Sequence, residues 1–161
     1  MKLKALLLAA TTAVALSLAA VPATAATVVP DGELQAKIDA VMAKFPGGVQ
    51  IADDSVAWQK GEIVLTLEGG SNARSVATCT TGSYCGWSGA SYTGTKLSFT
   101  ACSAAGTSSS LALLTATRSL ANARTSGMVR AKNLSTTVYT LPASTGIASN
   151  PATLTSLVCY T

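Results

Sequence analysis

The side chains best suited to chemistry in this sequence are four cysteines, Cys79, Cys85, Cys102 and Cys159, and seven carboxylates. The chain contains no histidine, which removes the commonest general base and the commonest transition-metal ligand. A Ser-His-Asp triad and a Cys-His pair are both impossible, and the many serines have no base to activate them. Two carboxylates can in principle perform acid–base glycoside chemistry. Asp53-Asp54 is the best candidate pair, but tandem acids followed by serine read first as a turn. Cys79-x5-Cys85 raises a zinc site, yet the spacing is longer than a zinc knuckle uses and no histidine completes it. The sequence therefore predicts no catalytic residue, no metal ligand and no cofactor. An even cysteine count in an exported chain reads as two disulfides, with three connectivities open.

Export is indicated at the N-terminus. Lys2 and Lys4 precede an apolar run from Ala5 to Val21, and Ala23-Thr24-Ala25 supplies small residues suited to cleavage. A membrane anchor is the alternative, but the run is short and leads directly into that site. Residues 1–25 are thus expected to be a signal peptide. They leave a secreted chain of about 136 residues, with no membrane association after cleavage and enough length for one core. Charge divides unevenly. All seven carboxylates (Asp31, Glu33, Asp39, Asp53, Asp54, Glu62 and Glu68) lie at or before position 68. Beyond it the only charged residues are Arg74, Lys96, Arg118, Arg124, Arg130 and Lys132. Such a distribution suits two surfaces of opposite sign docked together, or an anionic partner such as cell wall or an acidic enzyme cleft. The bases are scattered without an aromatic stacking platform, which argues against nucleic acid.

The elements follow from periodicity. Asp31 can cap a helix whose Leu34, Ile38, Val41, Met42 and Phe45 form one apolar stripe, and Pro46-Gly47-Gly48 ends it. Ser55–Trp58 and Ile63–Leu67 read as a hairpin turning at Lys60-Gly61. A Gly/Ser-rich joint at 69–72 coincides with the charge break, dividing the mature chain into a helix-and-hairpin segment, 26–72, and a disulfide-stapled module, 73–161. In the module, strands are expected at 84–88, 95–100, 111–116, 127–132, 136–141 and 154–160, with polar loops at 104–110 and 141–152. Short strands at this spacing favour a mainly β Greek-key sandwich.

Trp87-x4-Tyr92-x-Gly94 resembles the aromatic-x4-aromatic-x-Gly signature of the βγ-crystallin fold. With Cys79-x5-Cys85 ahead of it, the segment is similar to actinomycete secreted metalloproteinase inhibitors of that fold. Arg118-Ser119-Leu120-Ala121-Asn122 resembles the serine-containing strand that completes their first Greek key. The stretch from Leu34 to the 63–67 hairpin is similar to a leader region that precedes such modules. The resemblance implies a Cys79–Cys85 staple, which leaves Cys102 with Cys159. It also implies Trp87, Tyr92, Gly94 and Ser119 as fold-bearing residues. The second Greek key departs from the pattern: Tyr139 and Gly146 keep the spacing, but Ser144 replaces the second aromatic. The alternative register Val129-x4-Leu134 has no aromatic at all. Asn122-Ala123-Arg124-Thr125-Ser126 echoes a calcium-binding segment of microbial relatives, yet Ala121 stands where an acid or amide belongs and an arginine occupies the site. No calcium site is expected.

Three functions follow. The first is a secreted, non-catalytic inhibitor of an extracellular peptidase, a metalloproteinase by the resemblance. Its inhibitory loop carries no recognisable motif, and 141–152 is the best exposed candidate. The second is a structural or cell-surface module that keeps the fold without inhibition. The third is a small antimicrobial or toxin-like protein.

Overall fold

Alternating apolar residues build the larger of two antiparallel sheets. The computed structural model describes residues 32–68 and 79–161. The expected signal peptide, the Asp31 cap and the joint at 69–72 lie outside them. Helix α1 spans Gly32–Lys44 and turns Leu34 and Ile38 into the core, with Val41 and Met42 packed at its margin. Strands β1 (Val49–Ala52), β2 (Ser55–Trp58) and β3 (Ile63–Thr66) form a meander. They are followed by β4 (Tyr84–Trp87), β5 (Lys96–Phe99), β6 (Thr107–Ser110), β7 (Ser119–Asn122), β8 (Met128–Asn133), β9 (Thr136–Pro142), β10 (Thr145–Ile147) and β11 (Ser156–Tyr160).

The seven-stranded sheet runs β1-β2-β3-β5-β4-β7-β10 and the four-stranded sheet β6-β11-β8-β9. The chain is thus mainly β, with one α-helix among the described residues. From β4 onward it forms two four-strand halves, β4–β7 and β8–β11, and each gives its third strand to the other's sheet. β10 pairs with β7, and β6 pairs with β11. This exchange is compatible with two interlocked Greek keys. Because β3 pairs with β5, the N-terminal meander extends the same sheet.

Strand register lays side chains in rows across the large sheet. One inward row reads Val56, Leu65, Leu97, Gly86, Leu120 and Ile147. The next brings Trp58, Ile63, Phe99, Tyr84 and Asn122 into line, with the Tyr84 and Phe99 rings stacked 5.3 Å apart. Leu141, Leu157 and Val129 face these rows from the small sheet, in one core that reaches Leu34 and Ile38 of the helix. The helix is also tied by its ends. Trp58 Nε1 donates to the Phe45 carbonyl at 3.0 Å, and the Gln35 and Gln50 amides bond reciprocally at 3.1 Å.

Three expectations need correction. Residues 111–116 form a turn rather than a strand, with Leu114 N–H donating to the Leu111 carbonyl. Their leucines plug the shallow place over Gly86, where an added Cβ would press on Thr117, Leu111 and Leu114 at 3.3–3.5 Å. The polar 104–110 stretch holds β6; only Ser109 of that strand is buried, and it bonds the Tyr84 hydroxyl at 2.8 Å. The segment 141–152 is not a free loop. It contains the end of β9 and all of β10, and its Asn150 is 2% exposed. The Asn150 amide donates to the Thr117 and Ala152 carbonyls at 2.7 and 3.0 Å, and the Asn150 N–H to that of Arg118 at 2.7 Å.

Candidate functional site

The signature residues meet on the outer face of the large sheet. Cys85 and Trp87 alternate with the inward Tyr84 and Gly86, so both point away from the core. They form a second apolar cluster with Cys79, Tyr92 and Ala121. The 88–95 connection folds back over this cluster, with Ser91 and Tyr92 in left-handed backbone at φ +54° and +62°. The Tyr92 ring meets Trp87 edge-on, centroids 5.2 Å apart and planes at 72°, a favourable quadrupole arrangement. Gly94 closes the fold at φ +78°, where a Cβ would strike the Ser88 hydroxyl. Ser88 Oγ is itself engaged, accepting the Thr95 N–H at 2.9 Å.

Ser119 clamps this flap to β7. Its fully buried hydroxyl donates to the Gly89 carbonyl at 2.7 Å and accepts the Tyr92 N–H at 3.0 Å. Cys79 and Cys85 are bonded, with Cα atoms 5.8 Å apart, and staple the segment leading into β4. Cys102 is bonded to Cys159 across 57 positions, joining the connection between β5 and β6 to β11 inside the small sheet.

An open groove of about 510 Å³ runs beside the flap, lined among others by Thr81, Trp87, Tyr92, Thr125, Ser144 and Thr145. Among the described residues no carboxylate, lysine or arginine lines it. Gly146 of the degraded second signature faces the flap, where a Cβ would sit 2.7 Å from the Tyr92 hydroxyl. Tyr139 is instead packed against the core, and the structure does not bring it to Ser144 as a second aromatic corner.

The charged residues Asp54, Lys96 and Arg124 do not line this groove. Asp54 is buried in the β1–β2 turn, where its Oδ1 accepts the Ser55 hydroxyl at 2.8 Å and its carbonyl the Leu67 N–H at 2.8 Å. Lys96, in register with Trp87, is buried too, and burial holds its ammonium pKa below 10.5 against the pull of Asp54. Arg124 occupies the calcium-like segment and donates through Nη1 to the Gly82 and Thr100 carbonyls at 3.1 and 3.3 Å. Its guanidinium is thereby tied to the segments leading into β4 and out of β5. Among the described residues no three of His, Cys, Asp and Glu stand close enough to hold a metal ion, and no helix is long and apolar enough to cross a membrane.

The second half lacks the flap. Where β4 and β5 are joined by eight residues folded onto the sheet, β8 and β9 are joined by a two-residue turn, Leu134-Ser135. Sequence reasoning noted Leu134 only as a missing aromatic and did not single out Asn150. An exposed leucine and a buried asparagine both run against composition, and only the three-dimensional pairing exposes them.

Residues 72–149 match the family model of peptidase inhibitor family I36. Neither the curated proteins nor the solved structures contain a significant match.

Proposed function

Since residues 72–149 belong to peptidase inhibitor family I36, we propose that the protein is a secreted inhibitor of an extracellular metallopeptidase. The family carries peptidase inhibition; the metal-dependent target and export are the proposed part. The match over 72–149 is the observation that carries the reading. Metal dependence is supported by the Cys79-x5-Cys85, Trp87-x4-Tyr92-x-Gly94 and 118–122 segments, which resemble actinomycete metalloproteinase inhibitors. Export is supported by the Lys2–Ala25 pattern and by both disulfides.

The physical basis is a surface that needs no ordering on binding. Interlocked sheets, a clamped flap and two covalent staples leave little conformational entropy to lose at the interface, which favours affinity at a given contact area. An inhibitor of this kind needs no catalytic group of its own. The test is titration of a thermolysin-type zinc peptidase with the purified protein, with a serine peptidase in parallel. Stoichiometric loss of the zinc enzyme's activity is expected. Unchanged activity of both enzymes at micromolar excess would sink the reading, and loss of the serine enzyme alone would redirect the target class.

A further inference from the structure

The side of the small sheet turned away from the core carries side-chain charge of one sign only. Alternation along β8 sends Val129 and Ala131 inward and Met128, Arg130 and Lys132 outward. Strand register then places hydroxyls on both flanks of the two cations. Ser108, Val158, Arg130 and Thr140 form one row across β6, β11, β8 and β9, and Ser156, Lys132 and Thr137 lie in the next. Ser108, Arg130, Thr137 and Thr140 are exposed, and Ser156 and Lys132 are half-buried.

Arg130 is held in place on this face. Its guanidinium carbon stands 5.0 Å from the centre of the Tyr160 ring, a cation–π contact. The ring in turn lies across Gly106, at φ +90°, where an added Cβ would sit 2.6 Å from it. Neither Arg130 nor Lys132 has an ion-pair partner among the described residues. The described carboxylate side chains run from Glu33 to Glu68, on the helix and on the meander that extends the other sheet. The positive charge is therefore not neutralised inside the molecule, and it is fixed on a flat, hydroxyl-bearing surface.

We propose that this face binds a linear polyol polymer joined by phosphodiesters, laid along β8 with successive phosphates on Arg130 and Lys132. The two residues are separated by two steps of one strand, about 6.8 Å, so they address neighbouring repeats of an extended chain rather than one ion. The Arg130 fork matches two phosphate oxygens and Lys132 supplies a point charge. The flanking serine and threonine hydroxyls can donate to the remaining phosphate and polyol oxygens. A nucleic acid fits less well, because the face's exposed-side ring, Tyr160, is covered by Arg130 and offers bases no stacking platform. A lipid surface fits less well too, since Met128 is the one large apolar side chain exposed there among the described residues. The face lies across the core from the flap, so this binding does not depend on the inhibitor reading.

The test measures binding of the full protein to immobilised poly(glycerol phosphate), with dextran, single-stranded DNA and phosphatidylglycerol vesicles as rival surfaces. Wild type should bind the polyol phosphate and not dextran, and raising salt from 50 to 200 mM should weaken binding by about five- to tenfold for two phosphate contacts. Combining Arg130→Gln with Lys132→Gln should weaken it by roughly tenfold. Lys44→Gln, the same loss of charge on the helix, should change it less than about twofold. Both substituted side chains on the sheet reach solvent, so thermal melts should match wild type and separate a lost contact from a lost fold. Equal losses in the Lys44 variant and the double variant would assign the binding to net charge and overturn the site. Tighter binding to DNA or to vesicles, or none to the polymer, would overturn the proposed occupant. None of these results bears on peptidase inhibition, which the titration above tests separately.

Discussion

Replacing Ser119 with alanine should destabilise the protein far more than the loss of one oxygen suggests. Ser119 is 0% exposed, and its hydroxyl links two segments: β7, which carries it, and the 88–95 flap, where Gly89 accepts from it and Tyr92 donates to it. Alanine leaves the Gly89 carbonyl and the Tyr92 N–H facing each other without the bridge, in a place where water does not easily replace it. Each lost hydrogen bond is worth about 0.5–1.5 kcal/mol net, and an orphaned buried group adds about 1–3 kcal/mol, so a total of roughly 2–4 kcal/mol is expected. That is a large share of a typical domain's stability, about 5–15 kcal/mol. The assay is urea unfolding followed by tryptophan fluorescence, with Thr93→Ala as the control. Thr93 belongs to the same flap and bonds the Ala90 carbonyl at 2.7 Å, but its hydroxyl is exposed, so its loss should cost under about 0.5 kcal/mol. Equal and small effects of the two substitutions would refute the clamp.

Removing the disulfides pairwise should separate two contributions. In the chain-entropy picture, opening Cys102–Cys159, whose partners are 57 positions apart, costs about 4 kcal/mol, and opening Cys79–Cys85, only 6 apart, costs about 2 kcal/mol. Denaturant midpoints of the two double-alanine variants in the opposite order would contradict this. Burial pushes the Tyr84 phenol above its usual 10, more strongly than its bond to Ser109 and the nearby Arg124 charge pull it down. The folded state thus keeps the proton longer than the unfolded one, and the associated stability is present below about pH 10 and lost as pH rises through the folded value. Lys96, with its lowered pKa, acts in the opposite direction but is common to both proteins being compared. Tyr84→Phe should therefore show a shallower alkaline loss in melts from pH 8 to 11, and an identical slope would refute the assignment.

The parts that were legible are those in which local pattern and tertiary demand agree. Leu34 and Ile38 of the helix lie in the core that their spacing suggests, and Ser55–Trp58 pairs with Ile63–Thr66 as alternation implies. The apolar run 111–116 misled, because its leucines fill a depression over Gly86 rather than pair in a ladder. β6, Thr-Ser-Ser-Ser, was invisible because its strand character comes from β11 alongside it and only Ser109 of the four is buried. β10 is three residues long and exists because β7 offers a partner. For the candidate site, Trp87, Tyr92, Gly94 and Ser119 carry a readable pattern, because a folded-over hairpin needs those residue types. Away from that site, the exposure of Leu134 is not readable, since hydrophobicity in a sequence normally signals burial, and its exposure is a property of the turn.

The Cys102–Cys159 bond also bears on what a peptidase can accomplish against this molecule. Every peptide bond from 103 to 158 lies inside its covalent loop. A single scission there yields no fragment: both new termini remain on one molecule. At the β8–β9 turn they would also stay side by side in the ladder, close enough for religation to compete with escape. Such a nicked species would migrate as one chain on a non-reducing gel and as two after reduction.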